Sequence, residues 1–399
     1  MSETTITPEL FDFITKHKDE KSDTLRFRYH NSSEPWMPLA INHIESLHKC
    51  GRKFGDMQPR LMAAPLSVEQ ASSWAVAALH ADIARRIAGN AEKFLDMTCG
   101  LGIDFRAIAT ALGTQCGSIA VEMQPMLAEA AAYNFQAMAN VTVITGDSVA
   151  WLEKCGEQFD LIFIDPARRG NDGKRLYNIH DCMPDVGALL PLLRSKARKV
   201  MVKLSPMLDV SGTLADLPCS ELHIVDENGE CRELLAVMDF TSAAPDSGDV
   251  PVTIRSSGTA PLTFTREEER NATPRYGIPQ PGGMLFEPSP AAMKGAPFSL
   301  LSEKFGLAKL HPNTHVYFSE SANEDLPGKW HEITEVIPFS SSVIKNLSKR
   351  KMQADVAVRN FPLTAPELIR RLSIKSGGDT RIIGVTAYEG SRLLIVVRK

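Results

Sequence analysis

With 399 residues and a mass of 43.8 kDa, the chain is too long for one ordinary domain and points to two or three. A composition of 43% hydrophobic, 23% charged and 7% aromatic residues excludes collagen-like, disordered and disulfide-scaffold classes. Charge is unevenly spread. Ser340 to Lys399 holds twelve Lys and Arg against four Asp and Glu, a net of +8, so the remainder carries −12.

No apolar run approaches the ~20 residues of a membrane span, so no membrane association is expected. The opening MSETTITPELFDF lacks the basic-then-apolar layout of a signal peptide. Seven cysteines are scattered and never form C-x-x-C, which argues against a metal site and a disulfide framework. A cytoplasmic location is the expectation.

Residues 1–90 read as a helical region. ELFDFITKH and PLAINHIESLHKC carry apolar residues at helical spacing. SVEQASSWAVAALHADIARRIAG reads as one longer helix, with Ser67 as N-cap, Gln70 completing a capping box and Gly89 as the stop. From Lys93 the pattern alternates. Strands KFLDM, SIAVE, VTVIT, FDLIFID and KVMVKL are separated by helices IDFRAIATAL, MLAEAAAYNFQAMA, SVAWLEKC and VGALLPLLRSKA. FDLIFID is apolar almost throughout, as in a parallel strand buried on both faces. ELHIVDENGECRELLAVMDF predicts a hairpin over Asn228-Gly229. The order predicts a doubly wound, seven-stranded Rossmann-like α/β sheet closed by an antiparallel edge hairpin, over residues 91–245. Residues 246–275, rich in Pro, Ser, Gly and Thr with short strand-like pieces VTIR and LTFT, read as a linker or a return crossing, and 276–335 and 336–399 as two small α+β domains. There is no internal repeat.

The most informative stretch is FLDMTCGLGID, where a strand ends in Asp96 and Gly100 and Gly102 occupy the turn into a helix. The third glycine of a dinucleotide fingerprint is replaced by Phe105, which disfavours NAD. Glu122 ends the second strand, where a carboxylate can accept ribose hydroxyls, with Met123 beside it. Asp147 and Ser148 follow the third strand, placed to meet an adenine edge, and Asp165 ends the fourth.

Together DMTCGLGID, VEMQP, GDS and DPARRG resemble the motifs of a class I S-adenosylmethionine-dependent methyltransferase over about residues 65–240. The phrases LSVEQASS, DPARRG, YGIPQPGG, KLHPNTH and NFPLTAPEL with GGDTRIIGVTA resemble, more narrowly, a bacterial family of these enzymes with a THUMP-like C-terminal domain. The resemblance implies S-adenosylmethionine as cofactor, a ferredoxin-like unit at 276–335 and a THUMP-like basic domain at 336–399. By position it implies that Asp96 holds the methionine amino end. The Gly100 and Gly102 backbones would face the cofactor, Thr98 and Asp104 line the turn, and Gln70 and Ser72 cover the methionine end.

Methyl transfer needs an in-line nucleophile, positioning and removal of a proton. In DPARRG, Asp165 and Pro166 keep the acid and first proline of base amino-methyltransferases, but the second proline and the aromatic residue are replaced by Ala167 and Arg168. Arg168 can stack on a base or contact phosphate, the alternative for it and for Arg169 being a solvated loop. DPARRG is also similar to the motif of uracil-C5 RNA methyltransferases, whose chemistry needs a cysteine nucleophile. Leu204 stands at that cysteine's position, so N-methylation is favoured, with Asp165 orienting the amine and Lys203 pairing with phosphate or with Asp165. The expected partner is RNA, specifically tRNA, held by the basic end, where Lys345, Lys349, Arg350 and Lys351 cluster near one helix and Arg370 and Arg371 on another. Two alternatives stay open: a methyltransferase for a small molecule or protein, and an inactive protein that binds cofactor and RNA.

Overall fold

The computed structural model describes residues 6–168 and 179–399. The chain forms two compact units, one of residues 1–207 with 236–244, the other of 208–235 with 245–399.

The first unit begins with helices α1 (Pro8–His17), α2 (Ser22–Arg28), α3 (Met37–Cys50), α4 (Pro65–Gln70) and α5 (Trp74–Ala88). Then follow β1 (Lys93–Asp96), α6 (Ile103–Leu112), β2 (Gly117–Glu122), α7 (Pro125–Phe135), β3 (Val141–Thr145), α8 (Ser148–Lys154) and β4 (Phe159–Ile164). A two-residue ribbon of β5 (Ala167–Arg168) and β6 (Cys182–Met183) precedes α9 (Val186–Lys196) and β7 (Ala197–Leu204). β3, β2, β1, β4 and β7 lie side by side and all parallel. Phe94, Leu95, Leu161, Ile162 and Val200 are wholly buried, as strands covered on both faces require. The N-terminal helices are not a separate domain, since Leu10, Ile44 and Leu61 share one core with Ile103 and Ala107 of α6 and Leu127 of α7.

The single long helix expected over 67–89 is two. Pro65 starts α4, so Ser67 lies inside it rather than capping it. The chain is extended at Ala71 and Ser73, and Ser73 caps α5 by accepting from the Val76 N–H. Gly89 does end α5.

The second unit contains α10 (Val210–Asp216), β8 (Glu221–Glu227), β9 (Glu230–Asp239), β10 (Val252–Ser256), β11 (Leu262–Phe264) and α11 (Arg266–Asn271). β9 passes from this unit into the first at Ala236. The Asn-Gly hairpin is as expected, with Asn228 and Gly229 both at positive φ, 55° and 79°. Residues 246–275 are not a linker. β10 pairs parallel to β8 and antiparallel to β11, and Val252, Ile254, Leu262 and Phe264 are buried.

Then come β12 (Met284–Pro288), α12 (Pro290–Gly295), α13 (Phe298–Phe305), β13 (Ala308–His311), β14 (Thr314–Ser319) and β15 (Gly328–Pro338). α14 (Ser341–Lys349), β16 (Asp355–Arg359), α15 (Ala365–Leu372), β17 (Thr380–Thr386) and β18 (Arg392–Arg398) complete the chain. These strands make one seven-stranded sheet, ordered β13-β14-β12-β15-β18-β17-β16. The boundary expected at 335/336 therefore falls inside β15. β18 alternates between two cores: Leu393, Ile395 and Val397 face Leu285 and Ile333, whereas Leu394 and Val396 meet Leu347 of α14 and Leu368 of α15. The sheet curls until the Thr314 hydroxyl donates to the Thr386 carbonyl at 2.9 Å.

Candidate active site

Parallel strands carry their residues to a common carboxyl edge. Asp96 closes β1, Glu122 closes β2, Asp165 follows β4, and Lys203 sits near the end of β7. Asp96 pairs in register with Phe163 of β4, which sets Asp165 next to the glycine turn.

Thr98 ties these ends together. Its N–H donates to Asp96 Oδ1 at 2.8 Å, and its hydroxyl accepts the Asp165 N–H at 2.7 Å. Asp96 is 1% exposed. Burial pushes its carboxyl up to about 8, and the nearby charges of Asp104 and Asp165 add to this against the Thr98 hydrogen bonds. Lys203 Nζ donates to Asp165 Oδ2 at 2.6 Å, the option in which the lysine serves the acid directly.

Glu122 is the acceptor of the glycine turn. Its two oxygens receive the Gly100 N–H at 2.8 Å and the Gln124 N–H at 2.9 Å. Gly100 and Gly102 adopt positive φ, 55° and 77°. They differ in what surrounds them. A Cβ on Gly102 would meet the Phe135 ring at 2.3 Å, so ring packing demands glycine there, whereas a Cβ on Gly100 would have only the Thr98 carbonyl within 4 Å. A side chain is thus excluded at Gly102 by ring packing as well as by its positive φ, and at Gly100 by its positive φ alone. Phe105, at the position of the missing third glycine, is fully buried and stacks on Phe94.

Asp104, in the first turn of α6, accepts from the Ser72 hydroxyl and pairs with His80 Nδ1, both at 2.8 Å. Burial alone pushes this carboxyl up, but His80, Lys203 and Ser72 outweigh it and lower it to about 2. His80, fully buried on α5, was not singled out in the sequence, where it reads as one more residue of a helix's inner face. Ser72 is thus tied to the turn, while Gln70 stands exposed at the end of α4. Asp147 caps α8 by accepting from the Val149 and Ala150 N–H groups, with Ser148 opening that helix. Met123 is 61% exposed beside Glu122. Pro166 is buried. The Arg168 backbone pairs with Cys182, and its side chain, like all of Arg169, lies outside the described residues.

On the basic end, Lys345 and Lys349 are exposed on α14, and Arg370 and Arg371 on α15. Arg350 is pulled back to Glu335 at 3.0 Å. Among the described residues, no helix is long and apolar enough to cross a membrane.

Family comparisons agree with this construction. A family described as ferredoxin-like domain matches residues 284–327, and one described as THUMP domain-like matches 328–399. No curated protein matches the chain. Among solved structures, a putative methyltransferase from Porphyromonas gingivalis W83 is 31% identical, covers 98% of this chain and 97% of its own, and superposes with a TM-score of 0.84. An O-methyltransferase from Streptomyces achromogenes in complex with SAM is 16% identical over 49% of this chain and 89% of its own, TM-score 0.33. An RNA methyltransferase from Salinibacter ruber in complex with S-adenosyl-L-homocysteine is 16% identical over 44% of this chain and 97% of its own, TM-score 0.29. Full-length likeness at that identity, with both C-terminal matches behind a glycine turn and acidic strand ends, assigns the chain to the bacterial family of S-adenosylmethionine-dependent methyltransferases with a THUMP-like C-terminal domain.

Proposed function

We propose that this chain methylates a nitrogen of an RNA base, with tRNA as the carrier, in the cytoplasm. The observation that supports this reading best is the Asp165–Lys203 pair at 2.6 Å, joined through Thr98 to the glycine turn.

The residues at the strand ends suit S-adenosylmethionine. The positive-φ backbones of Gly100 and Gly102 would face it, and the Glu122 carboxylate and exposed Met123 stand beside Gly100. Asp96, Thr98, Asp104 and Ser72 would surround the methionine end, with Gln70 over it, and Glu122, Met123, Asp147 and Ser148 the nucleoside. When bound, the cofactor supplies an electrophilic methyl on a sulfonium. Asp165 accepts a hydrogen bond from the substrate amine, holds its lone pair in line and takes up the proton released after transfer. Lys203 fixes that carboxylate's rotamer through its hydrogen bond. Pro166 stiffens the backbone beside it. The exposed basic residues of α14 and α15 hold phosphates.

The test is methyl transfer from labelled S-adenosylmethionine to total tRNA, with mass spectrometry locating the modified nucleoside in cells with and without the gene. Label in an N-methylated base that disappears with the gene is expected. Label only in protein or small molecules, or none, overturns the RNA reading.

A further inference from the structure

Helix α5 packs on α6, and its buried face is apolar at Val76, Ala77, Ala81, Ile83 and Ala84. His80 is the polar residue of that face and is wholly buried. An aliphatic side chain would fill the same space without the desolvation that an imidazole suffers, so the ring must find its compensation in a partner.

That partner is Asp104, in the first turn of α6. His80 Nδ1 donates to Asp104 Oδ1 at 2.8 Å, since an ionised carboxylate can only accept. The Ser72 hydroxyl donates to the other oxygen, Oδ2, also at 2.8 Å. Two donors, one from α5 and one from the break before it, thus grip both oxygens of one carboxylate and fix its plane. The imidazole is itself held in place. It lies against Phe163 of β4, ring centroids 5.7 Å apart, and Phe163 is the register partner of Asp96.

The carboxylate is not sealed in. The Asp104 side chain stays 12% exposed, against none for His80. It also stands among the groups of the site. Its charge reaches Asp96, and the Lys203 ammonium that serves Asp165 helps His80 to hold its carboxyl low against burial. Three carboxylates, Asp96, Asp104 and Asp165, therefore share one lysine and one histidine, and a further cation completes the set.

We propose that His80 is a positioning residue for the cofactor, holding the Asp104 carboxylate in the plane that receives the ammonium of the methionine end. The proposal rests on the placement of Asp104 given above. It adds the residue that fixes this acceptor, supplied by the N-terminal helices rather than by the sheet. Closed off from any ligand, His80 acts through Asp104.

The probes are S-adenosylhomocysteine, which carries the amino-acid end, and methylthioadenosine, which keeps nucleoside and sulfur but lacks that end. Each is titrated calorimetrically into the full chain. His80→Leu fills the space without a donor, and His80→Asn returns an amide N–H close to the place of Nδ1. Asp104→Asn tests the carboxylate itself, with melting curves as the folding control. His80→Leu should bind S-adenosylhomocysteine about tenfold more weakly, as loss of a hydrogen bond to a charged group does, and His80→Asn should recover most of that loss. Methylthioadenosine affinity should not change in either. Equal weakening of both ligands in His80→Leu makes the histidine merely structural and overturns the proposal, as does no weakening of either. If Asp104→Asn separates the two ligands and His80→Leu does not, the positioning role falls and the placement of Asp104 stands. If neither variant separates them, that placement falls as well. Should His80→Leu fail to fold, the Nδ1–H proton resonance of His80 in wild type decides. It should shift with S-adenosylhomocysteine and stay put with methylthioadenosine; the same response to both overturns the proposal.

Discussion

At the scale of single residues, the site divides into carboxylates that build the turn and one that faces chemistry. Glu122 spends both oxygens on backbone N–H groups. Glu122→Ala should therefore weaken S-adenosylmethionine binding by about 1.5–3 kcal/mol, the range for hydrogen bonds to a charged group, and loosen the turn as well. Calorimetry and melting curves measure the two effects; unchanged affinity removes Glu122 from the cofactor site. Asp165→Ala should abolish transfer with cofactor affinity nearly intact, since Asp165 meets the turn through its N–H, which alanine keeps. Wild-type turnover in that variant would make Asp165 structural. Asp96 gives a pH prediction. Its folded value, about 8, lies above its ordinary 3.8, so its contribution is fully present below about pH 4 and lost as pH rises toward 8. Asp96→Asn should raise the melting temperature of the cofactor-free protein at pH 8, change it little at pH 4, and weaken cofactor binding. A melting difference independent of pH would contradict this. Asp96, Glu122 and Asp165 were legible because strand ends in such sheets are where ligands bind. His80 was not, because nothing local distinguishes a buried histidine that meets Asp104 from one that fills space.

Elements were legible where their pattern is long and local. β1 to β4 follow from apolar runs, and the β8–β9 turn from Asn-Gly, because each signal acts over a few residues. The break between α4 and α5 was missed for the opposite reason. At the break Ser72 reaches Asp104, 32 positions away, a contact no local pattern announces, while the helical spacing of apolar residues runs through the break unchanged. Ser73→Ala should cost about 1 kcal/mol through loss of the α5 cap, and Ser67→Ala, inside α4, much less. Equal effects in melting curves would restore the single-helix reading. VTIR and LTFT look strand-like, but their place in a sheet as β10 and β11 was not legible, since three to five residues between Gly, Pro and Ser carry too little alternation to name a partner strand.

For the whole molecule, the uneven charge predicts salt-sensitive binding. If α14 and α15 hold RNA phosphates, Lys345→Glu with Lys349→Glu should lower RNA affinity and flatten the salt slope by roughly 0.7–0.9 per phosphate released, with cofactor binding untouched. Arg350 should matter less, because Glu335 already engages it. Equal affinity at every salt concentration would return these helices to plain solvated surface. The path of the chain through its two units has a further consequence, for synthesis. The first unit is complete only when residues 236–244 have emerged, after 208–235 of the second. On the ribosome, the nascent chain must therefore carry β8, with Leu222, Ile224 and Val225, before β10 at 252–256 exists to pair with it. Truncation at 244 would freeze that moment, and such a fragment should aggregate or recruit chaperones, although every motif of the methyl-transfer site is already in it.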